Sequence, residues 1–172
     1  MENGYQYKAF ISYRHTQRDK AIASKLQKKL ESYRPPKGIS DGERWKIFRD
    51  ETELSSNADL SKKIKEALES SEFLIFVCSE STKESIWCME EINYFKQLHN
   101  GSTDQIIPLI TEGDPETVFP AALLTTTVFN EELGVYEETA VGPLAANVSA
   151  ATPRESKRKF NTEMLRIQGF EL

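Results

Sequence analysis

The spacing of apolar positions changes repeatedly along the chain, and each change marks a new element. Tyr7–Tyr13 (YKAFISY) is rich in aromatic and β-branched residues and predicts a strand. Thr16–Asp19 follows as a capping arrangement, and Ile22, Leu26, Leu30 and Tyr33 keep helical spacing until Pro35-Pro36 stops the helix. A second short strand is expected over Trp45–Arg49, then a helix with Leu60, Ile64, Ala67 and Leu68 on its inner face. Phe73–Cys78 (FLIFVC) is apolar throughout, the pattern of a strand covered on both sides. A third helix should run from about Lys83 to His99. The fourth strand is expected over Gln105–Thr111, where Pro108 removes a ladder donor and implies an irregular or edge-like position. Thr126–Phe129 is the expected fifth strand, Asn130–Ala151 a long irregular connection, and Pro153–Gln168 a charged last helix.

Alternating strands and helices build a parallel sheet covered by helices. Right-handed crossovers leave few arrangements. The most economical is an α/β, flavodoxin-like parallel five-stranded sheet of order 2-1-3-4-5 with helices on both faces. A chain of 172 residues is expected to form a single domain. Ligands of such sheets gather outside the carboxyl ends of the strands, near the point where strand order reverses. That rule nominates Ser12-Tyr13-Arg14, Arg49-Asp50-Glu51, Ser79-Glu80-Ser81 and the first turns of the third helix.

Composition narrows the function classes. The net charge of −5 argues against general nucleic-acid binding, which needs a concentrated basic surface. The clusters Lys25–Lys29 and Arg154–Lys159 read as solvated helix faces. No apolar run approaches the roughly 18 residues of a membrane span, and MENGYQYK carries no secretory signal. Cys78 and Cys88 lack CxxC spacing, which suits a reducing cytoplasm. His15 and His99 have no ligand-like companions, so neither a metal nor a bound cofactor is expected. Neither G-x-x-x-x-G-K-[ST] nor G-x-G-x-x-G occurs.

The third helix raises the chemical question. At about 100° per residue from Trp87, Leu98 falls near 20°, Phe95 near 80°, Cys88 near 100° and Ile92 near 140°. Glu91 lands at about 40°, inside this apolar stripe, and Glu90 at about 300°, outside it. A carboxylate facing the core is costly unless it is paired, protonated or facing a cleft. Glu91 is therefore either a rim residue paired with a cation or a group placed for chemistry. Asp50 and Glu51 raise the same alternatives, since acidic residues past a strand also cap turns.

FISYRHT at 10–16, FRDETELSSNADL at 48–60, FLIFVCSESTKES at 73–85, WCMEEI at 87–92, and IIPLI at 106–110 with FP at 119–120 occur in this order. Together they resemble a TIR (Toll/interleukin-1 receptor) domain of the bacterial and plant type, over roughly residues 5–130. The resemblance implies the same fold. It also implies cleavage of NAD, as substrate, into nicotinamide and ADP-ribose, a cyclic isomer or a transferred conjugate. The last letter of the family's W-x-x-x-E falls on Glu91. By the same resemblance Tyr13, Arg14, Asp50, Ser79 and Trp87 line the nucleotide pocket. The loop with Glu51, Leu54, Ser55 and Asn57 would contact a neighbouring protomer. Asn57 stands where that loop often carries glycine; asparagine tolerates left-handed backbone angles.

The implied reading is a cytoplasmic NAD-cleaving signalling domain, switched on by TIR–TIR self-association and serving anti-phage defence beside a sensor domain or effector partner. The alternative is a non-catalytic interaction module. Glu91 discriminates between them, because a scaffold has no use for a carboxylate on an apolar stripe.

Overall fold

In the computed structural model, residues 4–32, 44–49, 61–80, 82–141 and 146–147 are described. Four parallel strands form the body of the sheet: β1 (Tyr7–Ser12), β2 (Ile47–Arg49), β3 (Ser71–Cys78) and β4 (Ile106–Ile110). Their order is β2-β1-β3-β4. Strand residues alternate between faces. Ala9, Ile11, Ile75, Val77, Ile107 and Leu109 thus meet Ala23, Leu26 and Leu30 of α1 (Gln17–Ser32) on one face. Phe10, Leu74, Phe76, Cys78, Ile106 and Ile110 meet α2 (Lys62–Glu69) and α3 (Ile86–Leu98) on the other. The expected helices on both faces of a parallel sheet are present.

Local signals explain the helix starts. Thr16 Oγ1 accepts the Asp19 N–H at 3.2 Å, as the capping arrangement predicted. Ser61 caps α2 through the Ile64 N–H at 3.3 Å, and Ser85 caps α3 through the Cys88 N–H at 3.2 Å.

The end of the chain differs from expectation. Thr125–Asn130 is a strand, β5, but it leaves the sheet and pairs antiparallel with β6 (Val135–Ala140) in a separate hairpin. The reason is chemical. A strand covered on both faces needs a continuous apolar run, whereas TTTVFN is polar at four of six positions. Gly134, at φ +66°, lets the turn close through its N–H to the Asn130 carbonyl at 2.8 Å. The expected irregular connection over Asn130–Ala151 therefore contains β6. It also contains the actual fifth sheet strand, β7 (Ala146–Asn147), beside Leu109 and Ile110. The five-stranded order thus matches the expected one, with β7 in the place assigned to Thr126–Phe129. Pro108 lies inside β4, which β3 and β7 flank, so the edge-like position expected for it is not found; the described pairing with β7 begins one residue later, at Leu109. Between β4 and the hairpin lies only a short helix, α4 (Pro115–Val118), and one 3-10 turn.

The stop at Pro35-Pro36, the loop after β2 and the helix over Pro153–Gln168 lie outside the described residues. Among the described residues no helix is long and apolar enough to cross a membrane.

Candidate functional site

Two carboxylates are buried at the carboxyl edge of the sheet, one on each face, and the alternation of strand residues explains both. Ser12 ends β1 on the α3 side, because Phe10 points there and Ile11 does not. Its Oγ donates to Glu91 Oε1 at 2.8 Å across 79 residues of sequence. Glu91 is 2% exposed and sits on the helical face shared with Cys88, Ile92 and Phe95. Glu90 is exposed. The helical wheel thus separates the two glutamates as the folded chain does; Leu98, in the last turn of α3, is more exposed than its stripe position implied.

On the α1 side the second carboxylate is Asp19, also 2% exposed. Continuing β3 and β4 by one residue puts Ser79 and Thr111 on this face, after Val77 and Leu109. Ser79 Oγ lies 3.5 Å from Asp19 Oδ2, and Thr111 Oγ1 lies 3.4 Å from Asp19 Oδ1. Burial raises the Asp19 carboxyl above its ordinary value, against the opposing pull of the Arg18 guanidinium and the two hydroxyls. Arg18 itself pairs with Glu112 and donates to the Thr111 carbonyl. Sequence reasoning missed Asp19 by reading it only as part of a cap. The signal was present: Asp19, Ala23, Leu26 and Leu30 share one face of α1 at spacings of 4, 7 and 11 residues.

The other nominated residues fall around these two poles. Arg14 is half-buried beyond β1, with Nη1 3.8 Å from Glu84 Oε2. Tyr13 is buried against the α1 face, and its ring stacks on His15 with centroids 4.6 Å apart. Trp87 is half-buried one turn before Glu91 and packs on the α3-side core. Ser79 is turned away from Glu91: its N–H donates to Thr82 Oγ1 at 2.8 Å, and its hydroxyl is 2.7 Å from the same oxygen. Glu91, Ser12 and Trp87 therefore belong to one side of the sheet, and Ser79 and Tyr13 to the other. Asp50, Glu51, Leu54, Ser55 and Asn57 lie outside the described residues.

Nucleophilic thiol chemistry does not fit this edge. Burial, reinforced by the Glu91 carboxylate, pushes the Cys88 thiol up to about 12, and burial raises Cys78 well above its ordinary value. Among the described residues no group of three or more His, Cys, Asp or Glu side chains is arranged to hold a metal ion. What remains is a carboxylate fixed by a hydroxyl beside an indole, at the edge where parallel sheets bind ligands.

The family model of the TIR domain matches residues 9–140. The chain is 33% identical over 113 residues to the NAD(+) hydrolase ApTIR of Actinoplanes sp., a match covering 63% of this chain and 14% of that protein. It is 27% identical over 138 residues to TMV resistance protein N of Nicotiana glutinosa, covering 80% of this chain and 11% of that one. The chain thus spans about one-seventh or less of the length of these relatives. Among solved structures, the TIR domains of the activated Roq1 resistosome superpose with a TM-score of 0.50 at 26% identity, covering 65% of this chain and 61% of that one.

Proposed function

Because the chain belongs to the TIR domain family, we propose that it cleaves NAD at the bond between nicotinamide and ribose, with Glu91 as the catalytic carboxylate. The observation that carries this reading is the buried Glu91 held by Ser12 at the carboxyl edge of the sheet. Its relative ApTIR is an NAD(+) hydrolase.

The chemistry asks little of the protein. As the C–N bond breaks, its electron pair returns to the pyridine ring, and nicotinamide leaves as a neutral molecule. Positive charge then develops on the ribose, and a nearby carboxylate stabilises that oxocarbenium character. Water adds to the anomeric carbon and loses a proton to solvent, giving ADP-ribose; attack by the adenine instead gives a cyclic isomer. Glu91 stabilises the sugar cation and accepts hydrogen bonds from ribose hydroxyls. Trp87 walls the rings from the same side of the sheet, and Arg14 faces the phosphates. Tyr13 and Ser79, both turned to the α1 face, line the nucleotide from that side, and Asp50 is assigned to the substrate by the family resemblance.

At 2% exposure Glu91 meets a substrate only when its cover opens. Opening coupled to assembly, through the loop with Glu51, Leu54, Ser55 and Asn57, would leave the domain silent when dilute. We place this activity in the cytoplasm, in anti-phage defence, with a sensor or effector partner supplying the trigger. The alternative, an interaction module without turnover, leaves the buried Glu91 without a role.

Incubating the concentrated protein with NAD and measuring free nicotinamide separates the two. Release that disappears in Glu91→Gln and persists in Glu90→Gln supports the enzyme. No release under crowding or on a surface that forces assembly overturns it.

A further inference from the structure

The β5–β6 hairpin is held at its base and open along one backbone edge. Lys96 Nζ donates to the carbonyls of Ala122 at 2.7 Å and Thr125 at 3.0 Å, and the Thr127 N–H reaches the Gly101 carbonyl at 3.1 Å. That last bond occupies the outer edge of β5. By contrast β6 pairs with β5 alone, and all its residues are exposed. The Val141 N–H donates to the Leu124 carbonyl at 2.9 Å, in register with the ladder. Bonded pairs recur at every second residue of an antiparallel ladder. Val135, Glu137 and Thr139 therefore bond inward to β5, while Tyr136, Glu138 and Ala140 turn their N–H and C=O groups outward. No backbone group among the described residues meets them.

The side chains select what can pair there. Exposed edges are usually blunted by lysine, proline or a bulge. The sequence of β6, VYEETA, has neither lysine nor proline, and its register with β5 is unbroken. Instead Glu137 and Glu138 project to opposite faces of the ribbon. Glu131 and Glu132 are exposed in the turn, and the sequence has no Lys or Arg between Lys96 and Arg154. Central pairing with the β6 edge of a second copy would set Glu137 or Glu138 directly against its own equivalent, which is repelled. Beside these carboxylates Val128, Phe129, Val135 and Tyr136 are 46–62% exposed. Phe129 and Tyr136 face each other across the ladder, with ring centroids 5.1 Å apart. Apolar surface rimmed by charge marks an interaction site.

We propose that β6 is the docking edge for an extended segment of a partner protein, added as a third, antiparallel strand with two adjacent cationic residues followed by apolar ones. Bonds to the outward backbone groups of Tyr136, Glu138 and Ala140 supply affinity, and the alternating side chains supply specificity. The two cations fall across from Glu138 and Glu137, one on each face, and the apolar residues across from Tyr136 and Val135. This surface uses no residue of the NAD reading, and its test measures binding, not turnover.

The probe is a blocked, fluorescein-labelled peptide, Thr-Thr-Lys-Arg-Ile-Val, whose third to sixth residues fall opposite Glu138, Glu137, Tyr136 and Val135. Anisotropy with the full chain should give a midpoint below about 1 mM at about 50 mM salt, raised at least about threefold at about 500 mM. N-methylating the Lys and Ile amides, which would face β6, should abolish binding. N-methylating the second Thr and the Arg amides, which would face solvent, should leave the midpoint within about twofold. Glu137→Lys with Glu138→Lys should weaken binding at least about tenfold, and a peptide with Glu-Glu in place of Lys-Arg should bind this variant instead; circular dichroism confirms its fold. Hydrogen exchange in the free chain should be fast at Tyr136, Glu138 and Ala140 and slow once the peptide is added. Slow exchange that persists on dilution would assign the edge to another part of this chain, and slow exchange lost on dilution to a second copy; either overturns the proposal. So does a peptide that fails to bind, or one that binds equally well with its β6-facing amides methylated.

Discussion

The bond between Ser12 and Glu91 is the most direct point at which to test the site. Both side chains are at most 2% exposed, and their oxygens are 2.8 Å apart. A hydrogen bond to a charged group contributes about 1.5–3 kcal/mol, because the loser of the partner stays buried and less satisfied. Ser12→Ala should therefore cost about 2 kcal/mol, or roughly 4–8 °C in Tm for a domain of this size. In a Glu91→Leu background the same substitution removes no such bond, and its cost should fall within about 0.5 kcal/mol of zero. Urea unfolding followed by the emission of Trp45 and Trp87 measures all four corners of this cycle. The activity readout runs in parallel. Glu91→Leu should release no nicotinamide, while Ser12→Ala keeps the charge but loosens its orientation and should slow release about tenfold. If Ser12→Ala costs the same stability in both backgrounds, the two side chains do not hold each other, and the account of how Glu91 is positioned fails.

Further outcomes follow from the neighbouring groups. Asp19 titrates above its ordinary 3.8, so the folded state holds a proton that the unfolded chain has released; its contribution to stability is full below 3.8 and is lost as pH rises through the folded value. Asp19→Asn should therefore gain Tm relative to wild type at neutral pH, with the gain shrinking toward pH 3.8; a difference independent of pH would contradict the burial. Cys78 and Cys88 should resist iodoacetamide at pH 8 and react only in denaturant, since burial keeps both thiols protonated with Cys88 at about 12; mass spectrometry reads the labelling. Gly101 has φ +86°, and a Cβ there would lie 2.4 Å from Thr127 Oγ1. Gly101→Ala should cost at least about 1–2 kcal/mol and speed proteolysis within the hairpin it anchors, and unchanged cleavage would refute that anchoring.

Glu91 was legible because a helix maps sequence onto a surface by a single angle, so a carboxylate inside an apolar stripe announces itself. The same angle would have found Asp19, had it been extended one turn back from Ala23 into the cap. Ser12 was nominated only by its place at the end of a strand. Its pairing with Glu91 depends on strand parity joined to the seating of α3, which no local window contains. The fifth strand was misplaced for a related reason. Thr126–Phe129 has strand chemistry, but strand chemistry does not choose a partner. Its threonines favoured a half-exposed ribbon, while two residues, Ala146 and Asn147, sufficed to extend the sheet. The side of the sheet on which Ser79 points was likewise a matter of parity, and it set that serine beside Asp19.

The alternation that sends Ser12 to one side and Ser79 and Thr111 to the other also limits how this edge can change. Substitutions within Tyr7–Ile11 leave the phase intact. Losing or gaining a single residue there would let the strand pair again while delivering the serine to the wrong layer, beside Leu26 and not α3. The first strand should thus tolerate exchange of its letters far better than any change in their number.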